Sequence, residues 1–402
     1  MCSGCDRNFL VCNWPNYRNQ TLSQFRKSEV TASNNKVVLV NKDSGGGIDA
    51  QDKTRKYLTR QFLGTLIPEP SQYKAQEVLE HQLKTSLPLQ LVVECVEALL
   101  VSNENTSQDL LYEETLNALR EEFSNSSAKG SEDWGLNAIN LLMIRELILP
   151  APRISEILKH LQASLHILCT RITRDDVSFW LRLNADSFVF YSGMATICCS
   201  ETEILMMPNP FESEKIFEPL FENAKPPHDL NSNPILGNAY EALILSNQTS
   251  YLLRSNTSQT INLATVLLRK INSLIRADAN NLQLSIVYCT KIVLLKIIHH
   301  RISIKDGKIQ EANEQLLRSL HNAKRSEVKL LGLWPTIVCA ACSTSPTDTD
   351  LILEFCGQSD VDGIPDELNE KLKSSLKRIW SENMGLGVLD DLAFLKALIL
   401  NP

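Results

Sequence analysis

Leu89, Val92, Val93, Val96, Leu99 and Leu100 recur at spacings of three and four, and this apolar stripe sets the class of fold open to the chain. A period near 3.6 residues gathers such side chains on one side of an α-helix; a strand would need a period of two. The pattern returns over 107–124 with Leu110, Leu111, Leu116 and Leu119. Hydrophobic residues make up 43% of the 402, aromatics only 6%, and there are only 15 glycines. That balance favours helices over a barrel, sandwich or propeller.

The same reading places further helices at about 133–149, 153–173, 175–199, 234–254, 260–277, 281–301, 309–324, 327–342, 347–356, 366–383 and 388–400. Breakers separate several of them: Pro150-Ala-Pro152, Pro208-Asn-Pro210 and Pro226-Pro227. Ser345-Pro346-Thr347-Asp348 carries a cap, a proline at the first helical position and an acid at the third. The expected fold is all-α, a multi-helix array of stacked antiparallel helices over 53–402. A small cysteine stub at 1–15 and a flexible linker at 16–52 precede it. No repeat of 33–47 residues keeps a fixed period, so a regular solenoid has no support.

Charge divides unevenly. Residues 1–60 hold ten Lys/Arg against five Asp/Glu, a net of +5, so the remainder carries −12 of the total of −7. The linker is rich in Asn, Ser, Thr and Lys and holds Ser44-Gly45-Gly46-Gly47, a composition that predicts mobility. The acidic body is a poor match to nucleic acid over a broad surface. No stretch of 18 uncharged apolar residues occurs, so no helix is expected to span a membrane. The first residues lack a basic then apolar leader. The sequons at Asn19, Asn105, Asn125, Asn247 and Asn256 are therefore expected to be silent, and the 11 cysteines mostly reduced.

Cys2-Ser3-Gly4-Cys5, then six residues and Cys12-Asn13-Trp14-Pro15, is the most specific local pattern. A C-x2-C turn lets two thiolates reach one metal, and Cys12 adds a third; tetrahedral zinc leaves one position to fill. Three chance cysteines near a terminus are the alternative.

The stub resembles the second arm of the fungal binuclear zinc cluster, in which each arm reads close to C-x2-C-x6-C and the second often ends Cys-x-Trp-Pro. Cys2, Cys5, Cys12, Trp14 and Pro15 match that arm. The first arm, with its basic helix and three further ligands, has no counterpart here. Between Cys5 and Cys12 stand one Asp and one Arg, Asp6 and Arg7, little for reading base edges.

The body, over roughly 85–400, resembles the fungal-specific transcription factor domain. Three stretches carry this: Leu333-Trp334-Pro335 through Cys342, followed by Leu351–Phe355; Trp134 through Ala138 to Arg145 and Leu147-Ile148, with Asn137 where the family usually has His; and Pro234-Ile235-Leu236-Gly237-Asn238-Ala239-Tyr240. The resemblance implies a nuclear transcription regulator with structural zinc on Cys2, Cys5 and Cys12. Its partners would be promoter DNA, bound weakly or not at all by this chain, the transcription machinery, a second copy or a related regulator, and a small effector. The alternative reading is a helical interaction or effector-binding protein that does not bind DNA.

Other constellations read as structure. Cys339-Ala-Ala-Cys342 and Cys198-Cys199 lie in apolar helical runs and suit core packing. His299-His300 suits a basic helix end, where neighbours diverge by about 100°. His160 and His166 have no carboxylate at i+4. No G-x-S-x-G, Walker loop, H-E-x-x-H or G-x-G-x-x-G occurs, and no enzyme chemistry is expected.

Overall fold

The structure, a computed structural model, describes residues 69–101, 105–125, 134–149, 152–172, 178–221, 233–255, 257–276, 278–323, 330–357 and 366–399. All fall in the unit Lys53–Pro402. They are helical throughout, with no strand among them, as the apolar spacing requires. The stub and the linker lie outside the described residues.

Helix α1 spans Glu69–Thr85 and α2 Leu87–Val101. Between them Ser86 ends one helix and caps the next, its hydroxyl accepting from the Leu89 amide at 3.3 Å. Then come α3 (Asn105–Asn125), α4 (Trp134–Ile148), α5 (Ile154–Ile172), α6 (Phe179–Cys198) and α7 (Pro210–Phe221). The second half holds α8 (Tyr240–Ser255), α9 (Thr260–Ser273), α10 (Asn281–Ile298) and α11 (Gly307–Asn322), then α12 (Leu333–Cys342), α13 (Pro346–Gly357), α14 (Asp366–Ser381) and α15 (Leu392–Ile399).

Packing follows chain order. The main contacts run α2 to α4, α4 to α5, α5 to α6, α6 to α8, α8 to α10, α10 to α9 and α11, and α11 to α12. The exception is α15, which returns to α6. Lys396 of α15 also pairs at 3.1 Å with Glu203, in the 3-10 segment Glu203–Met206 that follows α6. Each helix thus buries its stripe on a near neighbour, and two apolar cores result. A smaller one joins α1–α4 through Leu89, Val92, Tyr112, Trp134 and Leu142. The larger takes the rest, including Leu136 and Met143 from the other side of α4. Helix α4 offers apolar side chains to both cores because it is covered on both sides.

Helix α10 is the counterpart in the larger core. It is long and apolar enough to cross a membrane by length and composition, yet 67% of it is buried by its neighbours here. Lys291 and Lys296 interrupt its apolar run.

Caps explain the boundaries. Ser345 accepts from the Asp348 amide at 3.1 Å, the start predicted for α13. Ser178, Asn280, Asp306 and Asp391 do the same for α6, α10, α11 and α15. Helix α7 goes beyond the sequence reading, which took Pro208-Asn-Pro210 as a break only. Pro210 occupies the first helical position, where its missing N–H costs nothing, and the Asn209 side chain accepts from Phe211 N at 3.0 Å. The break is therefore also a start. The helix expected over 388–400 is split: a 3-10 segment covers Gly385–Asp390 before α15.

Glycine matters most where α6 crosses α8. A Cβ on Gly193 would overlap Asn247 Oδ1. The Asn247 amide donates to Val189 O at 2.7 Å. That places Asn247 inside a helix contact and out of reach of a glycan.

Candidate functional site

Cys2, Cys5 and Cys12, the metal ligands expected from the sequence, lie outside the described residues. Among the described residues no group of three or more His, Cys, Asp and Glu is placed to hold a metal ion.

A buried polar cluster sits where α2, α3, α4 and α5 meet. Arg145 and Glu146, consecutive on α4, are 1% and 0% exposed. Arg145 Nη1 donates to Glu146 Oε1 at 2.7 Å. Arg153, just ahead of α5, donates to both carboxylate oxygens, from Nε and Nη2, each at 2.7 Å. One carboxylate therefore holds two guanidiniums in bidentate and single contacts, the strong kind of charge-assisted bond.

Tyr112 of α3 enters between those cations. Its ring centre is 4.0 Å from Arg145 Cζ and 5.1 Å from Arg153 Cζ. Its hydroxyl meets His160 Nε2 at 3.1 Å. Burial holds the His160 imidazole down to about 4, outweighing the pull of Glu146 and Glu156 the other way. Burial, then Glu146, pushes the Tyr112 phenol up. Near neutrality the pair is thus neutral imidazole and intact phenol joined by one hydrogen bond. Cys95 of α2 also lies against Arg145 and Thr115; burial pushes its thiol up, and the Arg145 charge offsets part of that rise.

Chemically this cluster is a tie: Arg153 gives two donors and Arg145 one to Glu146, and both guanidiniums stack on Tyr112, with no activated nucleophile beside them. Arg145 Nε and Nη2 have no hydrogen-bond partner among the described residues; Asp109, largely exposed, stands 3.9 Å from Nη2. The signal for the cluster in the sequence is an Arg-Glu pair inside an otherwise apolar helix. The hydrogen-bond partner of His160 is Tyr112, 48 residues away, while Glu156, four residues before it, acts on it only through charge.

A second tie organises Pro234–Tyr240. The buried Asp186 of α6 accepts from Asn233 Nδ2 at 2.9 Å and from the amides of Ile235 and Leu236 at 3.0 and 3.1 Å. It thereby folds the turn that leads into α8.

The cysteine pairs behave as core. Cys339 and Cys342 are both buried on α12, and burial pushes the Cys342 thiol up to about 12. Cys198 and Cys199 are equally buried, with the Cys199 thiol also pushed up to about 12. None is poised as a thiolate.

His299 and His300 stand at the C-terminal end of α10, as the sequence leads one to expect. Helix α10 ends at Ile298, so His299 is its cap residue, with φ −125° and ψ 78°, and both histidines lie past the helix. The 100° divergence of helical neighbours does not apply to them. Both line an open hollow of about 510 Å³ at the α10–α11 turn.

No protein-family model matches this sequence, and neither a curated protein nor a solved structure is found to be similar.

Proposed function

We propose that this chain is a transcription regulator of the fungal zinc-cluster type, acting in the nucleus. Its helical body would be the regulatory, effector-responsive part. The observation that carries the reading is Cys2-x2-Cys5-x6-Cys12-x-Trp14-Pro15 standing ahead of an all-helical body. The three body stretches that resemble the family's regulatory domain support it. Each coincides with a buried element: α4, the turn pinned by Asp186, and α12, where Trp380 Nε1 donates to Ala340 O at 2.9 Å. Zinc on Cys2, Cys5 and Cys12 would be structural, and the body would serve as regulator and partner surface, with no enzymatic step.

A second reading is favoured by the stub's own charge. Asp6 and Arg7 cancel, so the cluster arm offers no basic helix to DNA. On that reading the chain is a helical interaction or effector-binding protein.

The test is zinc content and DNA binding on the full chain under reducing conditions. About one tightly held zinc, with preference for a CGG-containing duplex over a scrambled one at two salt concentrations, supports the regulator. No zinc, and weak salt-sensitive binding equal on both duplexes, selects the second reading.

A further inference from the structure

The turn between α10 and α11 gathers cations on a chain of net charge −7. His299, His300, Arg301, Asp306 and Lys308 line the hollow described above. Arg301 and Lys308 are exposed, as is Lys305 on the same turn, and none has an ion-pair partner among the described residues. Asp306 is the one acid in the lining. Its Oδ1 accepts from the Lys308 amide at 2.9 Å, and its charge offsets one of the two lining cations. The side over Gly307 is open: a Cβ there would meet nothing within 4 Å.

We propose that this hollow binds a small phosphate anion of the diphosphate class. Arg301 approaches from the α10 side and Lys308 from the α11 side. The guanidinium supplies a planar fork that matches two phosphate oxygens, and the ammonium supplies a point charge for a second group. The ring N–H groups of His299 and His300 add donors around it. Two cations on the two sides of the hollow suit an anion with two charged groups, as in a diphosphate. A bound anion would offset the charges of Arg301 and Lys308. Because the hollow is open, the attraction is screened, and affinity falls as salt rises. The proposal stands apart from the DNA-binding reading, since it uses neither the stub nor a base contact.

The test is calorimetric titration of the full chain with pyrophosphate at low and high salt. The expected result is saturable one-site binding, weaker for inorganic phosphate. Arg301→Gln and Lys308→Gln each weaken it about fivefold, the scale of one exposed charge pair. Arg269→Gln, which removes the same charge from the exposed face of α9, leaves it unchanged. Unaltered thermal melting of the variants shows that the fold is retained. Absence of saturable binding overturns the proposal, and so does an equal loss in Arg269→Gln, which would reduce the effect to overall charge. Displacement of pyrophosphate by short duplex DNA at equal phosphate concentration also overturns it, because the site would then belong to a polymer.

Discussion

Arg145 and Glu146 are neighbours in sequence and both sealed from water, and their 2.7 Å bond is completed by Arg153 reaching in from just ahead of α5. Adjacent helical side chains ordinarily point apart. Here the covering of α4 on both sides leaves the two charges nowhere to go but to each other. Glu146→Gln strands the buried Arg145 charge and is expected to cost about 3–5 kcal/mol in urea unfolding. Replacing Arg145 and Glu146 together by Met and Leu removes both charges and is expected to cost less than Glu146→Gln alone. A double variant as unstable as the sum of its singles would show that the two residues act independently.

Burial of His160 makes stability depend on pH in a set direction. His160 is held neutral down to about 4 in the folded chain, against an ordinary value of 6.5. The unfolded chain therefore takes up the proton first, and stability falls as pH drops from 6.5 towards 4, by up to about 3 kcal/mol from this residue. His160→Gln keeps a hydrogen-bonding partner for Tyr112 and removes the titration. Its deficit relative to the parent chain should shrink as pH falls through that window. Unfolding free energies at several pH values check this, and parallel curves would refute it.

Gly193→Ala places a methyl group on Asn247 Oδ1 at the α6–α8 crossing. We expect a loss of about 1–3 kcal/mol, the scale of overpacking in a tight contact. Asn247→Ala also loses the bond to Val189 O. The double variant should be more stable than the sum of the two losses predicts, because the clash disappears with the side chain. Thermal denaturation of the four chains measures this coupling.

Alkylation should sort the cysteines by burial. Among the described ones Cys169 alone is partly exposed, while Cys95, Cys198, Cys199, Cys289, Cys339, Cys342 and Cys356 are buried. With native protein at mildly alkaline pH, iodoacetamide should label Cys169 first within this set. Cys339 and Cys342 should react only on unfolding. Peptide mass spectrometry reads the order, and early labelling at Cys339 would contradict the core packing of α12.

Helix positions were largely legible because the cause is local. Leu89 through Leu100 fall on one stripe whatever their neighbours do, and Ser345-Pro346-Thr347-Asp348 carries its own cap chemistry. Helix α7 escaped because Pro210 can end one element and begin another, and only the Asn209 side chain at its amide decides which. The histidine pair lies at the end of α10 as expected, but that helix stops at Ile298 rather than near 301, and that decides whether the two neighbours diverge or share a hollow. The zinc-type spacing of Cys2, Cys5 and Cys12 is legible in the sequence, and zinc measurement is its test.

By itself, then, the sequence determined the helical class, most helix boundaries and the buried character of the cysteine pairs. Those follow from periodicity, capping groups and apolar content within a few residues. Tertiary structure alone decided that Tyr112 slots between Arg145 and Arg153 to meet His160, that Asp186 folds the turn before α8, and that Gly193 lies against Asn247. Each joins residues from separate helices, and such a meeting depends on how whole helices cross, which no local pattern encodes.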